Sequence, residues 1–321
     1  MAKASSATLK TVSNKSRSYR AKKVMREIWS HKALYLMLLP AVLYSILFQY
    51  KPMYGILIAF KDYSFRQGIF GSPWVGFENF GRLFESYWFP ITIANTLTIS
   101  FMSLAFFPVS IIFALMLDEV GHEGIKRTIQ TVSYAPHFIS VVVLCGMLIL
   151  FVKQNTGIIN LGIKAFGGEP IDFMQKPWAF KWLYVLSGVW QGTGWGAIIY
   201  SAALSGVDKS LLEAAEIDGA SRLQKMIHIK FPVLVPTIMI MLILQCGSLL
   251  SVGYEKALLL QTDANLLSSE IISTYVYKVG MVIDYDFSYS TANQLLNSAI
   301  NSLILITVNS ISRAFTKSSL F

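Results

Sequence analysis

Charge is what this sequence has least of. Asp, Glu, Lys and Arg make up 14% of its 321 residues, where about 25% is usual for a soluble domain. Hydrophobic residues reach 54% and the mean hydropathy is +0.52. A water-soluble globule of this size is excluded. Cysteine is nearly absent too: Cys145 and Cys246 both fall in apolar runs, so they read as small packing residues and not as a disulfide framework. Catalytic signatures are also missing. The histidines, His31, His122, His137 and His228, are dispersed, and His122-Glu123 has no second His four residues on, which excludes a zinc-protease helix. No Gly-rich loop ends in Gly-Lys-Ser/Thr, so the chain carries no nucleotide or metal cofactor of its own, and any ATP is hydrolysed by another chain. The chain reads as a non-enzyme.

What is present is a set of long charge-free runs. Ala33 to Phe48, Ile91 to Leu117, Val132 to Val152, Trp182 to Leu204, Val233 to Tyr254 and Thr291 to Ile311 hold no Asp, Glu, Lys or Arg. A helix needs about 20 apolar residues to cross a bilayer core. Six membrane-spanning helices are expected, in an all-α membrane domain over residues 33–321. The first run is short, but Met53 to Phe60 resumes its apolar character and completes a broken or tilted helix.

Lys and Arg stay on the cytoplasmic side of short loops, which fixes an orientation. With both termini inside, the inner segments carry 17 Lys and Arg against 8 Asp and Glu, and the outer segments 10 against 10. The whole net charge of +9 is then topological. It belongs to orientation and to lipid contact, and nucleic acid is not expected as a partner. Residues 1–32 read as a basic cytoplasmic tail, with Val24, Ile28 and Trp29 forming a short amphipathic stretch against the inner leaflet.

The spans contain no ionisable residue of the kind that proton-coupled transporters and voltage sensors place at membrane depth. His137, just past Pro136, reads as a hydrogen-bonded helix residue. Uncharged polar residues do punctuate the spans. Asn293, Asn297 and Asn301 recur every four residues, so three amides share one helix face. That face suits either interhelical hydrogen bonds or a lining for a hydroxyl-bearing solute. Gly188, Gly192 and Gly196 recur at the same spacing, and close helix packing is the favoured reading. Gln191 and Trp195 lie among them, and an amide beside an aromatic ring suits a sugar. Gln245, within the fifth run, and Tyr254, at its outer end, complete the candidate pathway.

One segment is more specific than the rest. Asp208-Lys209-Ser210-Leu211-Leu212-Glu213-Ala214-Ala215-Glu216-Ile217-Asp218-Gly219 continues through Ile229-Lys230-Phe231-Pro232. It predicts two short helices with a joint: Asp208 or Ser210 caps the first, Gly219 permits a turn or a close approach that a Cβ would block, and Pro232 fits the first turn of span five. Glu-Ala-Ala, Gly219, Ile229 and Phe231-Pro232 at this spacing resemble the EAA loop of permease subunits of ATP-binding-cassette importers, with Phe231 where Leu is usual. Tyr50-Lys51-Pro52-Met53-Tyr54-Gly55 and Phe287-Ser288-Tyr289-Ser290 are similar to permeases of the carbohydrate-importer class.

The resemblance implies a type I importer architecture whose EAA loop, residues 205–232, holds a coupling helix. It implies that Glu213, Ala214, Ala215, Asp218 and Gly219 dock on an ATPase subunit. It also implies a second, homologous permease, two ATP-binding subunits carrying ATP and Mg, and an extracytoplasmic solute-binding protein. The solute is expected to be a sugar or oligosaccharide, either neutral or uronate-bearing and held by Lys or Arg at span ends. A secondary transporter or channel is the competing class.

Overall fold

The computed structural model describes residues 29–316. The basic tail and, apart from Trp29, the amphipathic stretch lie outside the described residues. The chain divides into two compact units, residues 1–57 and 58–321. The described residues are helical and form no β-sheet, with one isolated bridge between Lys61 and Trp74.

In the first unit, helix α1 (Lys32–Phe60, its last three residues in the second unit) is α-helical to Ser45, passes through a π turn at Ile46–Tyr50 and continues as a 3₁₀ helix from Lys51. The interruption expected near Pro52 is thus a change of pitch: Pro52 enters the 3₁₀ segment at its second residue, where the missing N–H costs little. No residue from Lys32 to Ser45 is buried. A helix apolar on all sides takes lipid or another chain as its surroundings.

The second unit contains α2 (Trp88–Ala105), α3 (Pro108–Asp118), α4 (Glu123–Tyr134), α5 (Val141–Val152) and α6 (Pro177–Leu204). It continues with α7 (Lys209–Ile217), α8 (Arg222–Cys246), α9 (Tyr254–Leu260), α10 (Ile272–Met281) and α11 (Phe287–Thr316). Four described stretches are long and apolar enough to cross a membrane: α1, α2 with α3, α8 and α11. The pair of segments spanning Glu123–Phe138 and Val141–Val152 makes a fifth if counted as one bent span. Helix α6 has 28 residues, about 42 Å of rise, but its glycines, tryptophans and Gln191 dilute its apolar character.

Two runs expected to be single helices are not. Val132 to Val152 is broken after a 3₁₀ turn at Ala135–Phe138, where the flanking helices bend by 98°. Pro136 disrupts the helix, and Ser140 caps the next one by accepting from the Val143 N–H at 3.4 Å. Val233 to Tyr254 is helical only to Cys246; residues 247–253 form a turn and Tyr254 begins α9. Two glycines and two serines in that turn favour a non-helical backbone. Absence of charge marks an apolar environment but says nothing about helical continuity.

Helix α6 is the spine of the unit. Phe180 and Val185 near its start join a buried cluster with Ile99, Cys145, Ala257, Leu260 and Ile271. Ala197, Tyr200 and Leu204 near its end join another with Ile111, Ala114, Leu115 and Leu234. Between the clusters lie its glycines. Gly194 is the close-packed one: a Cβ there would sit 2.1 Å from the Ser133 carbonyl oxygen on α4. A Cβ on Gly192 would meet nothing within 4 Å. The expected close-packing stripe therefore holds only at Gly196, against Ser110. Gly194→Ala is expected to destabilise the protein by about 1–3 kcal/mol, the cost of overpacking. Gly192→Ala should stay within about 0.5 kcal/mol of wild type, and thermal unfolding in detergent compares the two.

Candidate functional site

The side-chain-free face of α6 opens a cavity of about 380 Å³ between the two buried clusters. Gly188, Gly192 and Gly196 form one wall, and Ser103, Ser110, Thr193, Tyr184 and Gln245 bring hydroxyl and amide groups to it. A second cavity of about 190 Å³ shares Ser103, Tyr184 and Gln245 and adds Ser100, Ser248 and Ser251. A larger cavity of about 800 Å³ lies elsewhere on α6, lined by Trp178, Trp182, Trp190 and aliphatic residues, and offers a hydrophilic solute almost no polar partner. The polar pair is the candidate pathway.

Lys256 is the cation of this cavity. It lies in the first turns of α9, outside the spanning helices, half-buried against Tyr184 and Gly188. Its Nζ donates to the Tyr184 carbonyl oxygen at 2.6 Å and sits 4.6 Å from the centre of the Tyr184 ring. Among the described residues it has no carboxylate partner, whereas the buried ammonium of Lys230 and the half-buried one of Lys278 each have one or more. Burial disfavours the charged form and brings its pKa down to about 8. Sequence reasoning missed it, because a single Lys just beyond an apolar run looks like an ordinary loop charge.

The turn over residues 247–253 forms the floor of the smaller cavity. Such irregular backbone among spanning helices persists only where its polar groups find partners or line a wet cavity. The Ser100 hydroxyl donates to the Leu249 carbonyl oxygen. Asn297 Nδ2 donates to the Leu250 carbonyl oxygen at 3.2 Å, and Asn301 Oδ1 accepts from the Leu250 N–H at 3.0 Å. Asn301 Nδ2 donates to Ser251 Oγ at 2.9 Å, and the Tyr184 hydroxyl donates to the Gly253 carbonyl oxygen at 3.1 Å.

Of the six residues expected along a pathway, Gln245 lines the cavities. Gln191 Nε2 donates to the Ile139 carbonyl oxygen at 2.8 Å, satisfying the backbone freed where α4 and α5 part. Trp195 stacks on His137, ring centres 4.4 Å apart. Tyr254 stacks on Tyr277 at 5.3 Å, and Asn293 and Asn297 are buried on α11.

The EAA-type segment has the expected first helix and glycine joint, but its second helix is not short. It runs on through a π turn at Met226–Lys230 into the rest of α8, so Pro232 sits inside that helix and not in its first turn. Asp208 Oδ1 accepts from the Ser210 N–H at 2.9 Å, which caps α7 and holds the Asp208 carboxyl below its usual pKa. Ser221 and Gln224 form a capping box at the start of α8. Gly219 joins the helices at φ +75°, the left-handed region that glycine enters freely. Helix α7 buries none of its residues. Glu213, Ala214, Asp218 and Gly219 are exposed and Ala215 half-exposed. Beside them Leu211 and Ile217 are exposed too, Ile217 at 88%, which gives the face an apolar element not anticipated from the sequence. An exposed helix with small, apolar and acidic residues on its surface suits docking into a groove of a partner.

Residues 106–317 match the family model of the binding-protein-dependent transport system inner membrane component. The chain is 40% identical, over 94% of both chains, to the polygalacturonan/rhamnogalacturonan transport system permease protein YteP of Bacillus subtilis (strain 168). It is also 40% identical, over 90% of this chain and 91% of the relative, to protein LplB of the same organism. Its fold matches a chain of a bacterial ABC transporter involved in the import of the acidic polysaccharide alginate. That match has a TM-score of 0.83 and 36% identity, covering 92% of this chain and 99% of that one. A related structure holds the alginate transporter in complex with an alginate pentasaccharide-bound periplasmic protein, at TM-score 0.84 and 35% identity, with the same coverage.

At Gly219 a Cβ would meet open space, so substitution costs backbone strain and not a clash. Asn enters the left-handed region more readily than Ala, and Val least. Gly219→Asn is therefore expected to keep the loop native, Gly219→Ala to loosen it by about 1 kcal/mol, and Gly219→Val to disrupt it. Protease susceptibility of the 217–222 joint in the membrane-inserted protein should rise in that order.

Proposed function

This chain belongs to the family of binding-protein-dependent transport system inner membrane components and is a sugar ABC importer permease, and we propose that its solute is an acidic oligosaccharide taken through the cavity beside Lys256. The observation that carries this reading is a half-buried ammonium without a carboxylate partner among the described residues, facing a cavity where hydroxyls and an amide stand among apolar side chains. An unpaired cation in such surroundings costs free energy that an incoming uronate carboxylate offsets. Ser103, Ser110, Thr193 and Gln245 both donate and accept, which matches the hydroxyl rim of a sugar ring. The relatives that transport polygalacturonan/rhamnogalacturonan and alginate support the same solute class.

In this reading the chain spans the membrane six times with both termini cytoplasmic, and a second permease completes the pathway. Gln191, Trp195, Tyr254 and Asn297 act behind the walls by holding the helix breaks and the turn in place, and Asn293 is buried on α11. A solute-binding protein delivers the oligosaccharide from outside, as the pentasaccharide-bound periplasmic protein of the alginate transporter suggests. Two ATP-binding subunits, with ATP and Mg, take the exposed face of α7 at Glu213, Ala214, Ala215, Asp218 and Gly219. Their closure moves α7 and switches the bundle between two arrangements that ATP and the loaded binding protein favour differently.

The test is uptake by the reconstituted complex of this chain with its partner subunits and binding protein, supplied with galacturonate and neutral oligosaccharides of matched length. Lys256→Met is expected to lower galacturonate uptake about tenfold, the effect of roughly 1.4 kcal/mol of lost attraction, while Lys256→Arg retains it. Undiminished galacturonate uptake in Lys256→Met, or a clear preference of wild type for the neutral series, would refute the acidic-solute reading. A second prediction concerns pH. Lys256 carries its charge below about pH 8 and loses it above, so wild-type uptake of the acidic solute should fall as pH rises through about 8. The Lys256→Arg variant should lack that step, because a guanidinium stays charged.

A further inference from the structure

Resting on the reading of α7 as the ATPase dock, we infer that Lys230 is a positioning residue that locks the coupling loop to the end of α3, so that movement of α7 reaches the cavity through two walls at once. Lys230 is 7% exposed and lies in a π turn, Met226–Lys230, inside the first turns of α8. π turns recur at functional sites because they redirect side chains out of the regular helical face. From this one, Lys230 Nζ donates to Asp118 Oδ2 at 2.6 Å and to Glu119 Oε1 at 2.5 Å, both at the end of α3. Lys126 on α4 adds a looser contact with Asp118 Oδ1 at 3.7 Å. Two lysines and two carboxylates make a neutral, closed set. The Lys230 ammonium is buried while its two carboxylates are about a quarter exposed, and separating them would leave the buried charge uncompensated.

The loop is tied on its other side as well. Lys225 Nζ on α8 contacts Glu216 Oε2 on α7 at 3.2 Å, and the Ala220 N–H donates to the Ala215 carbonyl oxygen at 2.8 Å across the Gly219 joint. Helix α7, the start of α8 and the end of α3 are thus linked by short polar contacts. At its other end α3 begins at Pro108, after the turn residues Phe106-Phe107, which keep a right-handed helical backbone and join α2 and α3 into one continuous stretch. Phe106, Phe107 and Ser110 line the cavity, as do Met241 and Gln245 of α8. When α7 is displaced, α8 carries one wall directly. The Lys230 network makes α3 carry the residues it contributes to the same cavity.

The triple variant Asp118→Asn, Glu119→Gln, Lys230→Met removes the network and leaves unpaired only Lys126, whose side chain is a quarter exposed, and Lys230→Arg retains it. In the reconstituted complex the triple variant is expected to assemble with the ATP-binding subunits and keep their basal ATPase. Stimulation of ATPase by the loaded binding protein, and uptake with it, should fall about tenfold, within the usual range of coupling between sites. Lys230→Arg should stay near wild type. Stimulation and uptake within about twofold of wild type in an assembled triple variant would overturn the inference. If the triple variant fails to assemble, Glu119→Gln alone decides, since Asp118 still partners Lys230: a partial loss of stimulation supports the network and unchanged stimulation overturns it. A wild-type complex with no solute-stimulated ATPase would count instead against the importer reading on which the inference rests.

Discussion

Backbone amides and carbonyls in a lipid-facing bundle have no water to turn to, and this molecule is arranged around that constraint. Where its helices run unbroken, the constraint is met within each helix. Where they break, at residues 139–140 and 247–253, side chains from neighbouring helices take over. Gln191 reaches the Ile139 carbonyl, and Ser100, Asn297, Asn301 and Tyr184 bind the turn after α8. The polar residues that punctuate the apolar runs are largely there to make the breaks tolerable. The breaks in turn make room: the turn over 247–253 floors one cavity and the glycine face of α6 walls the other.

That arrangement separates two kinds of buried charge. Lys230 meets two carboxylates and Lys278 meets Glu270 and the Gln261 amide oxygen, so each is a fastening within the protein. Lys256 meets a carbonyl oxygen and an aromatic face, which leaves its charge available to a ligand. The contrast follows from the Coulomb cost of half-burying an ion. A paired ion holds elements together, and an unpaired one keeps a standing preference for an anion. A transport pathway also needs attraction weak enough to release its cargo, and a single half-exposed ammonium among hydroxyls meets that need better than a cluster would.

Much of the candidate docking site was legible before any coordinates. The Asp208 cap, the glycine joint and the small residues of α7 follow from local rules: short polar side chains satisfy the first N–H groups of a helix, and only glycine turns left without strain. The exposure of Leu211 and Ile217 was not legible, because an apolar residue in a short helix is ordinarily turned inward by packing that sequence does not display. The pathway was less legible still. Asn297 and Asn301 share a face as their spacing requires, but that face meets the backbone of a turn whose existence the charge-free run from Val233 to Tyr254 concealed.

By itself the sequence determined an all-helical membrane protein of the importer-permease family, because low charge, the length of apolar runs and the EAA-type loop are properties of the chain and need no partner to be read. Tertiary structure decided which polar residues serve the protein and which serve a ligand. Gln191 and Gln245 are alike in composition and in placement within apolar runs. One binds a freed carbonyl and the other faces a cavity. The physical reason is that a polar group in a bundle is spent on whatever unsatisfied backbone lies within about 3 Å of it, and that neighbour comes from a different helix, remote in sequence. The same holds for Lys256, an unremarked loop charge until α9 folds it against Tyr184 and the glycine wall of α6.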